Sequence, residues 1–158
     1  MEKKARNNPH KLVLGMRLCA LLVVFCCSSL SPRSAWSWDD TLVRIGVDNT
    51  LQVRHKGRTE TISLYGLSPI SRQPAARERV RRFLLLRAAG QRVKVHPVGS
   101  NDQGDTQALV YSNGHNLNEA LIRAGLMRVD REGCRYYYCN QWIRYQQFAQ
   151  QRSQGNWQ

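Results

Sequence analysis

The sequence predicts an α+β fold: a small, highly curved β-barrel closed by helices. Three observations carry this. Stretches with two-residue alternation, such as Leu51 and Val53 against Gln52 and Arg54, precede Gly66 and recur between 91 and 112. One stretch with helical spacing lies between them, and two more follow. The order is strands, helix, strands, short helix and tail helix, with no internal repeat and no long linker.

The chain starts with a segment of a different kind. Lys3, Lys4, Arg6 and Lys11 stand against one acid, Glu2. Arg17 then precedes the apolar run "LCALLVVFCCSSL", and Ala35 and Ser37 are small residues two apart. A basic start, a short apolar middle and a small-x-small site predict a secretory signal peptide over 1–37, cleaved after Ser37. The run from Leu18 to Leu30 has 13 residues, whereas a membrane span needs about 20. No stable span is therefore expected after cleavage. An uncleaved anchor over Leu12–Leu30 is the alternative, with Arg17 as its cost. A lipidated Cys26 or Cys27 is disfavoured, because Phe25 and Cys26 stand where a small residue is wanted. The expected location is outside the cytoplasm, periplasmic or secreted.

The remaining 38–158 is a single domain of ordinary size, 121 of the 158 residues. Six of the 24 Lys and Arg and one of the 11 acids precede it, leaving 18 against 10, or +8. Such a charge suits a nucleic acid or other polyanion partner and equally serves solubility.

The elements follow in order. Thr41–Ile45 alternates and reads as a strand, followed by Leu51–His55. "HKGRT" at 55–59 is a turn, and Thr61–Tyr65 is the returning strand. "SPISRQP" at 68–74 is a loop. Ala75–Ala89 is a helix whose apolar stripe is Ala76, Val80, Phe83 and Leu84, with five arginines over much of the rest and Gly90 at its end. Residues 91–98 form a strand and 99–105 a loop. Asn113-Gly114 is a strong two-residue hairpin signal. Asn116 caps the next helix, with Glu119 three residues on, and Gly125 ends it. "LMRV" at 126–129 is short and extended. Asn140–Gln151 is the last helix, with Trp142, Ile143, Tyr145, Phe148 and Ala149 as its buried side.

Three of the five cysteines lie in the leader, and Cys134 and Cys139 remain. An even pair in an exported protein most simply forms one disulfide. A lone C-x4-C is a weak zinc signal, because no second pair follows. His55, His96 and His115 show no metal-ligand spacing and read as structural or surface residues.

Several words of the sequence resemble the staphylococcal nuclease (thermonuclease) family. "DNTLQV" is similar to the family's Asp-Gly-Asp-Thr-hydrophobic strand, and "ISLYGLSP" to its Ile-Arg-Leu-Tyr-Gly-Ile-Asp-x-Pro-Glu. "NLNEALIRAGLMRV" and the tail ending in Gly-x-Trp match more closely. The resemblance runs from about Val43 to Trp157. It implies a five-stranded oligonucleotide-binding (OB) barrel with about three helices.

It also implies a chemistry, calcium-assisted phosphodiester hydrolysis. The cation is held by two Asp carboxylates and a Thr backbone carbonyl, a Glu helps activate water, and two Arg side chains clamp the phosphate. Carried onto this chain, the metal positions fall on Asn49, Thr50 and Ser68. The Glu falls on Ile70 or Ser71, and the two Arg on Ser63 and Asp105. Only Thr50 is kept, and its role is mostly backbone. Metal, base and phosphate clamp go together, so hydrolysis is expected to be lost and no cofactor is expected. The alternative is an active endonuclease with an altered site, using Ca²⁺ through a substitute ligand such as Asp48, with Asp105. Asp48-Asn49 also reads as an ordinary turn pair.

Binding is the function that this leaves. The nucleic-acid-binding candidates are Arg54, Lys56 and Arg58 around the first hairpin, Arg77 and Arg81 on the long helix, and Arg92 and Lys94 on the following strand. Tyr136, Tyr137 and Tyr138 beside Arg135 read either as base-stacking residues or as packing around the disulfide. A third reading is a protein–protein interaction domain of the cell envelope, acting through the tail helix.

Overall fold

The computed structural model describes residues 37–46 and 48–158. The expected signal peptide, 1–37, lies outside the described residues except for Ser37. Strand β1 (Trp38–Ile45) turns back into β2 (Leu51–His55), and β2 into β3 (Arg58–Leu64). After the short β4 (Leu67–Pro69) comes helix α1 (Pro74–Ala88), then β5 (Arg92–Ser100) and β6 (Thr106–Ser112). The chain continues through β7 (His115–Asn116), α2 (Leu117–Arg123), β8 (Met127–Val129), α3 (Tyr138–Gln151) and a final 3₁₀ turn, Gly155–Trp157.

Neighbouring strands pair antiparallel in the order β3-β2-β1-β5-β6. One parallel seam, running from Ile62 opposite Thr106 to Leu64 opposite Ala108, joins β3 to β6 and closes the five strands into a barrel. The fold is thus the expected α+β OB barrel with three helices. β7 extends the sheet beside β6, and β4 with β8 forms a separate ladder. Register shifts between Leu42 and Arg44 and between Pro97 and Gly99 add the bends that closure requires.

Alternation fills the interior. Leu42, Leu51, Val53, Ile62, Val93, Val95, Ala108 and Val110 are buried, and Val80, Leu84, Leu117 and Leu121 join them from α1 and α2. Burying each large side chain contributes about 1.5–3 kcal/mol. The Asn113-Gly114 turn has φ of 49° and 79°, and Lys56-Gly57 has 48° and 78°. Both central residues are positive in each, the geometry that matches strand twist in a two-residue hairpin. Helix α1 begins with Pro74, whose missing N–H is no loss at a first turn. Its buried residues Ala76, Val80, Leu84 and Ala88 recur every four positions.

Helix α2 starts as expected: the Asn116 side chain accepts a hydrogen bond from the Glu119 amide at 3.1 Å. It is fastened to the barrel by Asn118, which is fully buried. The Asn118 Nδ2 donates to the carbonyls of Tyr65 (3.0 Å) and Ala108 (3.1 Å), and its Oδ1 accepts from the Val110 amide (3.1 Å).

Helix α3 corrects one expectation. Its buried face is Cys139, Trp142, Gln146 and Ala149, while Phe148 is 58 % exposed. The physical reason is Gln146, whose Oε1 accepts the Val129 amide at 2.8 Å. This polar contact sets the rotation of the helix, and Phe148 falls on the outer side. A second core forms there from Tyr65, Ile122, Val129, Trp142 and the Cys134–Cys139 disulfide. Gly66 permits it: φ is +72°, and a Cβ would lie 2.8 Å from the Cys134 sulfur.

The final turn is held by Asn156. Its Nδ2 donates to the Leu126 carbonyl (2.9 Å) and the Ala76 carbonyl (3.3 Å), and its Oδ1 accepts from Arg79 Nε (2.6 Å). Among the described residues, no helix is long and apolar enough to cross a membrane.

Candidate functional site

The β1–β2 connection holds the first group of predicted site residues. Asn49 takes φ of 66°, and its amide donates to the Gly46 carbonyl at 3.2 Å. The Gly46 amide in turn donates to the Thr50 carbonyl at 2.8 Å. Asp48 Oδ1 accepts the Thr50 amide (3.2 Å) and the Thr50 hydroxyl (2.8 Å). Burial pushes the Asp48 carboxyl up, but these hydrogen bonds outweigh it and hold it below the usual carboxylate range. Asn49 is 9 % exposed, and its Oδ1 has no partner among the described residues.

The second group lies at the β3–β6 seam. Ser63 and Asp105, onto which the resemblance carries the two phosphate arginines, are brought together by a residue that sequence reasoning missed, Asn101. Its Nδ2 donates to Ser63 Oγ (3.1 Å) and Asp105 Oδ2 (3.3 Å). Its Oδ1 accepts the amides of Gln103 (3.1 Å) and Asp105 (2.8 Å). The signal for this was an Asn opening a loop that ends Gly-Asp, a common way to fold a turn around a side-chain oxygen. Ser68 sits on β4 opposite Arg128. Ser71 Oγ accepts the Gln73 amide at 3.2 Å, just before α1.

This donor set does not fit a calcium centre. A hard cation takes six to eight oxygens. Here the Thr50 carbonyl already accepts one amide, and Asp48 is turned onto Thr50. Asp105 accepts the Asn101 amide group, and the orphan Asn49 oxygen carries no charge. Among the described residues, no three His, Cys, Asp or Glu side chains converge.

The cationic candidates lie elsewhere. Thr41 on β1 pairs with Arg54 on one side and Arg92 on the other, so these two arginines flank one residue on the outer face. Lys94 follows Arg92 on the same face of β5, directly opposite Tyr111 of β6 and Asp39 of β1. Lys56 lies within the β2–β3 turn and Arg58 just after it, both exposed. Lys94 is six residues along β5 from Ser100, which borders the 101–105 loop. At about 3.3 Å per residue the path is about 20 Å, and for Arg92 about 26 Å. Arg77 and Arg81 are exposed on α1, line neither groove beside Tyr111, and Arg81 is 3.8 Å from Glu78. Burial lowers the His96 imidazole below its usual value; the charge of Lys94 adds to this and that of Asp39 opposes it.

The tyrosines divide. Tyr138 packs on Trp142 and stacks with Tyr136 at 5.5 Å between centroids, while Tyr137 is 89 % exposed. Burial, reinforced by the neighbouring tyrosines, pushes the Tyr138 hydroxyl well above its usual range.

Comparison with known proteins agrees with the fold. The family model for the staphylococcal nuclease homologue matches residues 73–158, from the start of α1 through the final turn. No curated protein matches the chain.

Proposed function

The chain belongs to the staphylococcal nuclease homologue family, and from that premise we propose that it is a nucleic-acid or polyanion-binding module that no longer hydrolyses phosphodiesters by the family's calcium chemistry. The observation that carries this reading is the Ser63–Asn101–Asp105 network. Two positions that the family resemblance assigns to phosphate-binding arginines hold a hydroxyl and a carboxylate, both accepting from the Asn101 side chain. A carboxylate there repels the phosphate that an arginine would attract. The metal positions point the same way, with Asn49 and Ser68 in place of carboxylates.

Binding is supported by the OB barrel and by a balance of +8 over residues 38–158, 18 basic against 10 acidic. We place the module outside the cytoplasm. The basic, apolar and small-residue order of 1–37 and the Cys134–Cys139 disulfide support this.

The test is incubation of the full-length protein with DNA and RNA, with and without Ca²⁺, reading both cleavage and retention. Retention without cleavage is expected. Calcium-dependent cleavage that tracks the protein and disappears in Asp48→Ala would establish an altered-site endonuclease instead. A salt-insensitive protein partner, with no affinity for oligonucleotides, would establish an interaction domain.

A further inference from the structure

We propose that the ligand is single-stranded nucleic acid and that it lies on the outer face of β1, β5 and β6, across Tyr111, at the end of the barrel away from the family's catalytic cleft. This rests on the binding reading above and adds the surface and the class of ligand.

Two grooves meet at Tyr111. One, of about 360 Å³, is lined by Arg92, Lys94 and Tyr111. The other, of about 510 Å³, is lined by Tyr111, Arg87 and Arg123. A chain crossing the Tyr111 ring therefore meets cations on both sides. Lys94 faces Tyr111 directly in the strand register, and Arg92 follows two residues on, about 6.6 Å away. Arg54, across Thr41, continues the row.

These charges are available. Among the described residues, Arg54, Arg87, Arg92 and Lys94 form no ion pair. Glu119 lines the second groove and is bonded to Arg123 at 2.7 Å, so Arg87 is the cation on that side without an acidic partner among the described residues. Asp39 also lines the first groove, but against Arg92 and Lys94 it leaves the lining with a net positive charge.

The aromatic group selects the strand form. Tyr111 is only partly buried, and the His96 ring meets it edge-on at 5.1 Å. An aromatic surface between cations is what unpaired bases stack on while phosphates pair alongside. Bases in a duplex are stacked on each other and cannot use it.

The test is fluorescence anisotropy of the full-length protein with a labelled oligothymidylate of about 16 nucleotides, and with duplex DNA and heparin in parallel. The paired substitution Arg92→Gln with Lys94→Gln is expected to cut oligothymidylate affinity about tenfold or more and to reduce the salt slope by about 1.4. Tyr111→Leu is expected to cost about fivefold or more on oligothymidylate and nothing on heparin. Arg77→Gln with Arg81→Gln, on α1, is expected to leave both unchanged. Thermal melts confirm folding, and Lys94→Glu alone gives a second reading of the surface if the pair is unstable.

If the α1 pair loses affinity and the strand pair does not, the surface is wrong while polyanion binding stands. If Tyr111→Leu is silent, or costs the same on heparin, the base contact is wrong. Tighter binding of duplex than of oligothymidylate overturns the ligand class. No binding of any of the three by the unsubstituted protein overturns the binding reading itself.

Discussion

The two ends of this barrel have opposite chemistry. At the β3–β6 seam and the β1–β2 turn, polar side chains bond to one another: Asp48 to Thr50, and Asn101 to Ser63 and Asp105. At the other end, Arg54, Arg92 and Lys94 form no ion pairs among the described residues, and they share a face with Tyr111. The first end spends its hydrogen-bonding groups internally, which steadies loops and leaves little for a ligand. The second leaves its charges to solvent, which adds nothing to folding and suits an outside partner. On the function proposed above, this chain keeps the scaffold of a nuclease without its chemistry.

The largest expected effect tests what the two ends share. Asn118→Ala strands the Val110 amide and the Tyr65 carbonyl in the interior, each costing about 1–3 kcal/mol, and takes one of two donors from the Ala108 carbonyl, which keeps the Tyr65 amide. Urea denaturation should show a loss of about 3 kcal/mol or more. A loss below about 1 kcal/mol would mean that water or a shift of α2 replaces these bonds.

A smaller effect isolates the seam. Ser63→Ala removes one acceptor of Asn101 and should cost about 0.5–1.5 kcal/mol. Binding at the far end should not change. A loss of oligonucleotide affinity in this variant would reconnect the two ends and return the ligand to the cleft.

The far end has its own signature in pH. The His96 imidazole titrates lower in the folded chain than its unfolded value of about 6.5. Between those two values the unfolded chain holds more protons, so stability falls as pH drops through that window and is unaffected above it. Thermal melts at descending pH should show a slope that is reduced in His96→Gln. An unchanged slope would show that His96 is not its source.

The smallest effect is none at all. Millimolar Ca²⁺ should leave the melting temperature unchanged, since a ligand stabilises only by binding the folded state. A concentration-dependent rise would restore a metal site at the β1–β2 turn and remove the contrast between the ends.

Much of this fold was legible in the sequence, because its signals are local. Asn113-Gly114 announces a hairpin, Asn116 with Glu119 a helix start, and two cysteines a disulfide. The beginning of β1 was not legible, since "WDD" shows no alternation, yet Trp38 and Asp40 pair with Val95 and Val93. Phe148 was misplaced because helical spacing cannot say that Gln146 will take a buried position through one backbone amide. At the site, the positions that the resemblance assigns could be named one by one. That Asn101 ties two of them together could not, because the partners lie 38 and 4 residues away. The grouping of Arg54 with Arg92 needed the strand register in the same way.

The parallel seam also governs time. The hairpins β2–β3 and β5–β6 join neighbours in sequence, but Ile62 must find Thr106. Folding slows as pairing becomes less local, because loop entropy is lost before contacts compensate for it. On this argument barrel closure is limited by the non-local pairings, the β1–β5 ladder and the seam of 62–64 with 106–108, more than by either hairpin. Ser63, a small polar residue in that stretch, belongs to the step that completes the barrel.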